Sequence, residues 1–402
     1  MLAMVLLAVT RPTPQFPQPS GPYRIGTRVY SWKDESRPEP FTRDLADRRE
    51  LAVQVWYPTT ARGKPRPYLD SDDVVRALAL HFHVPAFLLA SIPHAPTHSV
   101  TDAPVADGRF PVLLNPSGFL GFRTANLFWI EELVSYGYVV VGMDQPGTSA
   151  AEVTAGGRVV PTIDKAKFDR LMPLALSQAT NLAPTLNGVT LPGGIIPFLA
   201  DDLTFVLDQI ERLNGYDARL AGHLDTNAVG VFGVSLGGYI GPEACRRDAR
   251  FRACLAVDAG KTADVARYGL TQPLMIISRD ADVMRSERAK AGGWPEPEIA
   301  HTMDTQRALF DHNQADAYYV TMNGMYHVNW TDAPILSPLV RWIGLAGPID
   351  PHKGFSITNA FTLAFFDRYL KNQSAPLLDA TPQPDKDARL QKRYVRERTH
   401  AS

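Results

Sequence analysis

The sequence lacks most features that mark a specialised class. Its 402 residues contain two cysteines, Cys245 and Cys254, too few for a disulfide scaffold or a thiolate metal site and uninformative about compartment. Neither sign of charge is in excess: 41 Lys plus Arg stand against 42 Asp plus Glu. No net field draws in nucleic acid, and no nucleic-acid partner is expected. The longest terminal apolar run, Met1 to Val9 (MLAMVLLAV), ends at Thr10 and Arg11, short of the about 20 residues that cross a bilayer as a helix. It has the length of a signal-peptide apolar region, but no Lys or Arg precedes it and no small-x-small site follows. It reads equally as an export signal or as the remnant of a longer membrane segment, which would make the protein secreted or membrane-associated; with neither, the protein is cytoplasmic. What is present is an ordinary globular composition, 45% hydrophobic and 21% charged, with 33 Pro and 29 Gly for turns and irregular connections. No internal repeat is visible.

Apolar patterning divides the chain. Residues 1–20 comprise the apolar run and a Pro-rich linker (RPTPQFPQPSGP from Arg11), residues 21–380 a single domain, and residues 381–402 a polar, basic tail. Within the domain, Tyr23 to Trp32 and Leu51 to Tyr57 read as antiparallel strands at a sheet edge. Short non-alternating runs at Pro111 to Leu114, Tyr138 to Gly142, Ala228 to Phe232, Ala253 to Val257, Leu274 to Ile277 and Ala317 to Thr321 suit parallel strands buried on both faces. Helical stripes lie between and after them, at Phe128 to Tyr136, at Asp202 to Leu213 with Asp201 or Asp202 capping the start, and at Ser356 to Leu370. This alternation predicts an α/β fold, a doubly wound, mostly parallel sheet with helices on both faces. An insertion at about 151–199, with a helical stretch from Ile163 to Ser177, is expected to cap a cleft. His81, His83, His94 and His98 lie in an irregular segment without Cys or an HExxH pattern, so no metal is assigned to them.

The strand Ala228 to Phe232 leads into Gly233-Val234-Ser235-Leu236-Gly237-Gly238, and a helix-compatible stretch follows. A G-x-S-x-G match alone recurs by chance; at a strand-to-helix junction it gains a mechanism. The sharp turn needs small residues so that the backbone approaches closely and the serine projects from the strand end. A serine hydroxyl then needs an imidazole base and a carboxylate on the ring's other nitrogen, in the chain order serine, acid, histidine. His327, in GMYHVNW after the last predicted parallel strand, is placed to return to the serine, whereas His301 and His312 fall in a polar helical stretch and read as surface residues. Asp258 ends one strand (ACLAVDAG) and Asp282 follows the next (LMIISRDAD), with Asp280 a lesser contender; the pattern does not choose among them. Backbone N–H donors for an oxyanion are expected at Leu236, after the nucleophile, and at Phe119, in the NPSGFL loop that follows PVLL. Asp144 to Ser149 (DQPGTS) reads as a structural turn.

The combination of GVSLGG, FRACLAVDAG, NGMYHVNWTD and PVLLNPSGFLGFRT resembles the calcium-independent platelet-activating factor acetylhydrolases, or lipoprotein-associated phospholipases, within the α/β-hydrolase fold. The resemblance runs from GPYRIGT near the start to GPIDPHKGFSITNAFTLAFFDRYL. It implies Ser235 as nucleophile, His327 as base, Asp258 rather than Asp282 as acid, and Phe119 and Leu236 as oxyanion donors. This sequence departs from the family in having Ser117 before Gly118 in place of His, Leu236 after the nucleophile in place of Phe or Met, and a poorly matching insertion. Those differences bear on the acyl pocket and lipid specificity and leave the catalytic residues untouched. The implied activity is hydrolysis of short or oxidised acyl esters, without cofactor or metal, on a small-molecule ester or phospholipid, with peripheral membrane contact compatible. Oligomeric state is not indicated. Competing readings are a general small-molecule or polyester esterase, an acyltransferase or peptidase with the same residues, and a silent binding module.

Overall fold

The computed structural model describes residues 14–81, 84–153, 159–177, 183–380 and 385–395. The N-terminal apolar run and His83 lie outside the described residues. The β-branched and aromatic runs pair as strands: β1 (Arg24–Pro38), β2 (Arg48–Thr59), β3 (Pro65–Pro67), β4 (Pro96–Thr101), β5 (Phe110–Pro116) and β6 (Val139–Asp144). Two small hairpins follow, β7 (Ala151–Val153) with β8 (Val159–Pro161), and β9 (Thr185–Leu186) with β10 (Val189–Thr190). The sheet then resumes with β11 (Leu224–Val234), β12 (Phe251–Val257), β13 (Leu274–Ser278), β14 (Ala317–Met322) and β15 (Ala388–Arg393). The main helices are α1 (Asp73–His81), α2 (Leu127–Ser135), α3 (Lys165–Ser177), α4 (Ile195–Tyr216), α5 (Leu236–Arg247), α6 (Ala263–Tyr268), α7 (Ala281–Ala291), α8 (Glu296–His312) and α9 (Pro351–Leu370).

Eleven strands form one sheet in the order β15-β14-β13-β12-β11-β5-β6-β2-β1-β4-β3. From β14 to β6 all neighbours are parallel. Successive side chains of a buried parallel strand must meet apolar partners on both faces. On β5, Val112 and Leu114 enter one hydrophobic cluster, with residues of α4 and α5, and Leu113 enters the other, with residues of α2 and α9. The α9 stripe of Phe355, Phe361, Phe365, Phe366 and Leu370 is buried, each side chain contributing about 1.5–3 kcal/mol by leaving water. Connections leave β5 toward β6 on one side and β11 toward β12 on the other, so winding reverses between β5 and β11. In open α/β sheets the crevice at such a reversal is where ligands bind.

Several expectations need correction. The β1–β2 pair is antiparallel but not at the edge, because β4 and β3, short and rich in Pro and polar residues, extend the sheet beyond β1. Helix α4 starts at Ile195, inside the expected insertion, after Gly194. Asp202 is therefore no cap: it is buried in ion pairs with Arg49 and Arg37, which its position in the second turn directs inward. The linker is anchored, since Phe16 is buried and its ring lies 5.1 Å from that of Tyr68. The tail contributes β15, antiparallel to β14 with Ala388 and Leu390 buried; its alternation of apolar and charged residues suits an edge strand with one face covered.

Candidate active site

Ser235 stands between β11 and α5 at φ 58° and ψ −123°, a conformation that costs a non-glycine residue energy and survives only where neighbours enforce it. The flanking glycines show how. A Cβ at Gly237 would lie 2.5 Å from the Pro116 carbonyl oxygen, and one at Gly233 would lie 2.7 Å from the Gly237 backbone. Only glycine lets β5, β11 and α5 approach this closely. The Ser235 N–H donates to Val257 O at 3.0 Å, joining the turn to the end of β12.

The residue that follows β12, Asp258, is fully buried and also has positive φ, 45°. Its N–H donates to Ile277 O at 2.9 Å. Its carboxylate faces His327 Nδ1 at 2.7 Å and accepts from Arg279 Nε at 3.1 Å. Burial alone would raise the carboxyl pKa; the Arg279 charge and the contact with His327 outweigh it and hold Asp258 below its ordinary value. An ionised carboxylate only accepts, so Nδ1 carries the proton and Nε2 is left free.

His327 begins a 3-10 turn, His327–Trp330. Asn329 Oδ1 secures the turn by accepting from Tyr326 N–H at 2.9 Å and Gly347 N–H at 2.7 Å. Glu287 accepts the His327 N–H at 3.3 Å, and the Trp294 ring meets the imidazole at 5.0 Å and 61°. Asp332, at the end of the HVNWTD segment, reaches the start of α2. Its carboxylate accepts from Leu127 N–H at 2.7 Å and Phe128 N–H at 3.0 Å, and from Tyr68 OH at 2.9 Å. A helix whose first N–H groups are buried needs such acceptors. Asp332→Ala leaves three buried donors unmet, and a loss of about 2–4 kcal/mol is expected in urea unfolding; a change below about 1 kcal/mol contradicts this capping account.

The loop after β5 crosses the serine. A Cβ at Gly118 would lie 3.5 Å from Ser235 Cβ. The DQPGTS turn holds the loop from behind: Leu120 N–H donates to Thr148 O and Ala150 N–H to Gly121 O, both at 2.8 Å. Just before these anchors, Phe119 stacks on Phe168 of α3 with centroids 4.2 Å apart and planes at 25°. The expected insertion thus reaches the loop through one aromatic pair.

The structure brings Ser235, Asp258, His327, Leu236 and Phe119 to one end of the parallel strands. Asp282 is elsewhere: it sits in the first turn of α7, its side chain 93% exposed and paired with Arg285 at 2.8 Å. Asp280 precedes α7 and meets Arg389 at 3.3 Å. His312 is exposed as expected, but the Nε2 of His301 is buried without a partner, because α8 packs that side inward. His98 Nδ1 lies 2.7 Å from Glu131 Oε2, and among the described residues no group of three or more His, Cys, Asp or Glu could hold a metal. Sequence reasoning missed Arg279, Glu287 and Trp294; Arg279 lies beside the two aspartates singled out in SRDAD, and its charge was the available signal.

A strained serine at a strand-to-helix turn, with acid and histidine after the following strands, belongs to the α/β-hydrolase fold, and this chain has that fold. The ferulic acid esterase from Streptomyces cinnamoneus shares it, with a TM-score of 0.72 and 24% identity over 94% of this chain and 99% of that one. Residues 209–382 match the family model of platelet-activating factor acetylhydrolase, isoform II, a segment that holds Ser235, Asp258 and His327. The platelet-activating factor acetylhydrolase of Gallus gallus is 24% identical over 157 residues, 37% of this chain and 32% of that one. The match therefore spans about a third of the curated relative's length.

Proposed function

We propose that the protein is a serine carboxylic-ester hydrolase. One observation carries the reading: the strained Ser235 is tied by its N–H to Val257, next to an Asp258 bonded at 2.7 Å to His327. Ser235 Oγ attacks the ester carbonyl while the free Nε2 of His327 takes its proton, and Asp258 keeps the ring in the required tautomer and stabilises the imidazolium. The N–H groups of Leu236 and Phe119 receive the oxyanion. Among the described residues the Phe119 N–H has no acceptor, which suits this task. The imidazolium then protonates the departing alcohol, and water activated by the same base frees the acyl group from Ser235.

The acetylhydrolase likeness favours a small or oxidised acyl group, including one on a phospholipid. The fold neighbour's substrate and the aromatic pair at the oxyanion loop favour an aryl ester as the second reading. A fluorophosphonate probe is expected to label Ser235. Turnover of p-nitrophenyl esters is expected to fall from acetyl to longer chains, with a short-chain phosphatidylcholine analogue and a hydroxycinnamate ester dividing the two readings. Faster capture of the acyl group by an added amine or alcohol than by water would make the protein an acyltransferase instead. Absence of both labelling and turnover would leave it a binding module.

A further inference from the structure

Arg279 touches Asp258, yet it takes no part in the proposed reaction. It follows β13 in the strand-end layer that supplies the candidate site, and its side chain is 1% exposed. A guanidinium is buried at a cost unless its donors are met by well-placed acceptors. Here Nε donates to Asp258 at 3.1 Å, and another arm is ion-paired with Glu287. Glu287 in turn accepts the backbone N–H of His327 at 3.3 Å. The guanidinium carbon lies 5.3 Å from the ring centroid of Trp294, and that same indole meets the imidazole of His327. Arg279, Asp258, His327 and Glu287 thus close a ring of contacts that passes through both the imidazole and the backbone N–H of His327, with the indole across it.

We infer that Arg279 is a positioning residue: it locks the Asp258 carboxylate with one oxygen turned to His327, and Glu287 and Trp294 lock Arg279. The inference rests on the serine-hydrolase reading above. A carboxylate bonded only to the imidazole could rotate about its own side-chain torsions, whereas the second contact leaves it one orientation. The arrangement also has an electrostatic consequence. Arg279 offsets part of the negative charge that would favour an imidazolium, and Glu287 adds negative charge close by. Among the described residues, Lys261, Tyr239 and Tyr319 also interact electrostatically with Asp258, and Glu298 with His327; all are unchanged in the variants below.

Removing the cation should therefore move the acid limb of the rate profile up in pH, and removing the Glu287 charge should move it down. In purified full-length protein with the best p-nitrophenyl ester, Arg279→Gln is expected to lower kcat by roughly 10–100-fold with KM within about threefold of wild type. The acid limb of its kcat/KM profile should rise by about 0.5–1 pH unit. Glu287→Gln should displace the limb by a similar amount downward, and Arg279→Lys should return it close to wild type while recovering only part of kcat, since an ammonium lacks the planar fork. Opposite displacements distinguish this role from a structural one, which would lower the amount of active enzyme and leave the limb in place. If Arg279→Gln does not fold, judged by thermal unfolding, Glu287→Gln and Arg279→Lys decide. Limbs that stay within about 0.2 unit of wild type, or that move the same way in Arg279→Gln and Glu287→Gln, overturn the inference. Wild-type labelling by fluorophosphonate separates the two levels: labelled enzyme with unmoved limbs refutes only the role of Arg279, whereas absence of labelling and turnover ends both.

Discussion

Ser235→Ala is expected to abolish ester turnover while leaving the thermal unfolding transition close to that of the wild type. Removing the nucleophile of a triad costs several orders of magnitude, with a residual rate that comes from binding and the oxyanion donors. The fold should tolerate the change, because Ser235 is held by its backbone: its N–H bonds Val257 O and its carbonyl accepts from Gly238 N–H at 2.8 Å. Alanine keeps both bonds and adds no atom. Retained turnover above about a hundredth of wild type would remove Ser235 from the mechanism.

The second large effect separates two aspartates that look alike in sequence. Asp258→Asn keeps the side-chain shape but presents an amide to His327 Nδ1, which favours the wrong tautomer and leaves Nε2 protonated. The same change in a well-studied serine protease costs about ten-thousand-fold. Here Arg279 and Glu287 remain as neighbours of the altered group, and a loss of at least about a hundredfold is expected. Asp282→Asn removes one exposed ion pair with Arg285, a contact worth little in water, and should change turnover by less than about tenfold. Parallel assays of the two variants decide the matter. A larger loss at Asp282 would mean that the bond between Asp258 and His327 is structural.

The buried strands and the serine turn were legible because they obey local rules. Runs such as Val139-Val140-Val141 must be covered on both faces, and the glycines around Ser235 reflect contacts that tolerate no Cβ. Asp258 and Asp282 could not be separated in this way, since both follow strands that end at the same sheet edge. What separates them is how each chain leaves its strand. Asp258 turns in at φ 45°, whereas the chain after β13 first sends Arg279 inward and then enters α7. The position of Arg279 depends on the residue after β12, on α7 and on the His327 turn together, and no local pattern encodes that meeting. The start of α4 was hidden for a related reason. The Gly-Gly-Ile-Ile-Pro segment reads as a loop until its apolar residues are seen packed in the core, and Asp202 resembles a cap until Arg49, far away on β2, supplies its counter-charge.

The pairing of β15 on β14 bears on how copies of the chain meet. Every residue of β14 from Ala317 to Met322 is buried, and without β15 its outer row of N–H and C=O groups would form an open apolar edge, a template for another chain. The strand that closes this edge follows β14 only after the His327 turn and the whole of α9, so a chain in which Ala388–Arg393 are undocked carries a sticky seam beside the segment that presents His327. Closing it falls to a strand whose exposed face carries Arg389, with Lys392 and Arg393 beside it, so the same segment completes the sheet and guards it against its siblings.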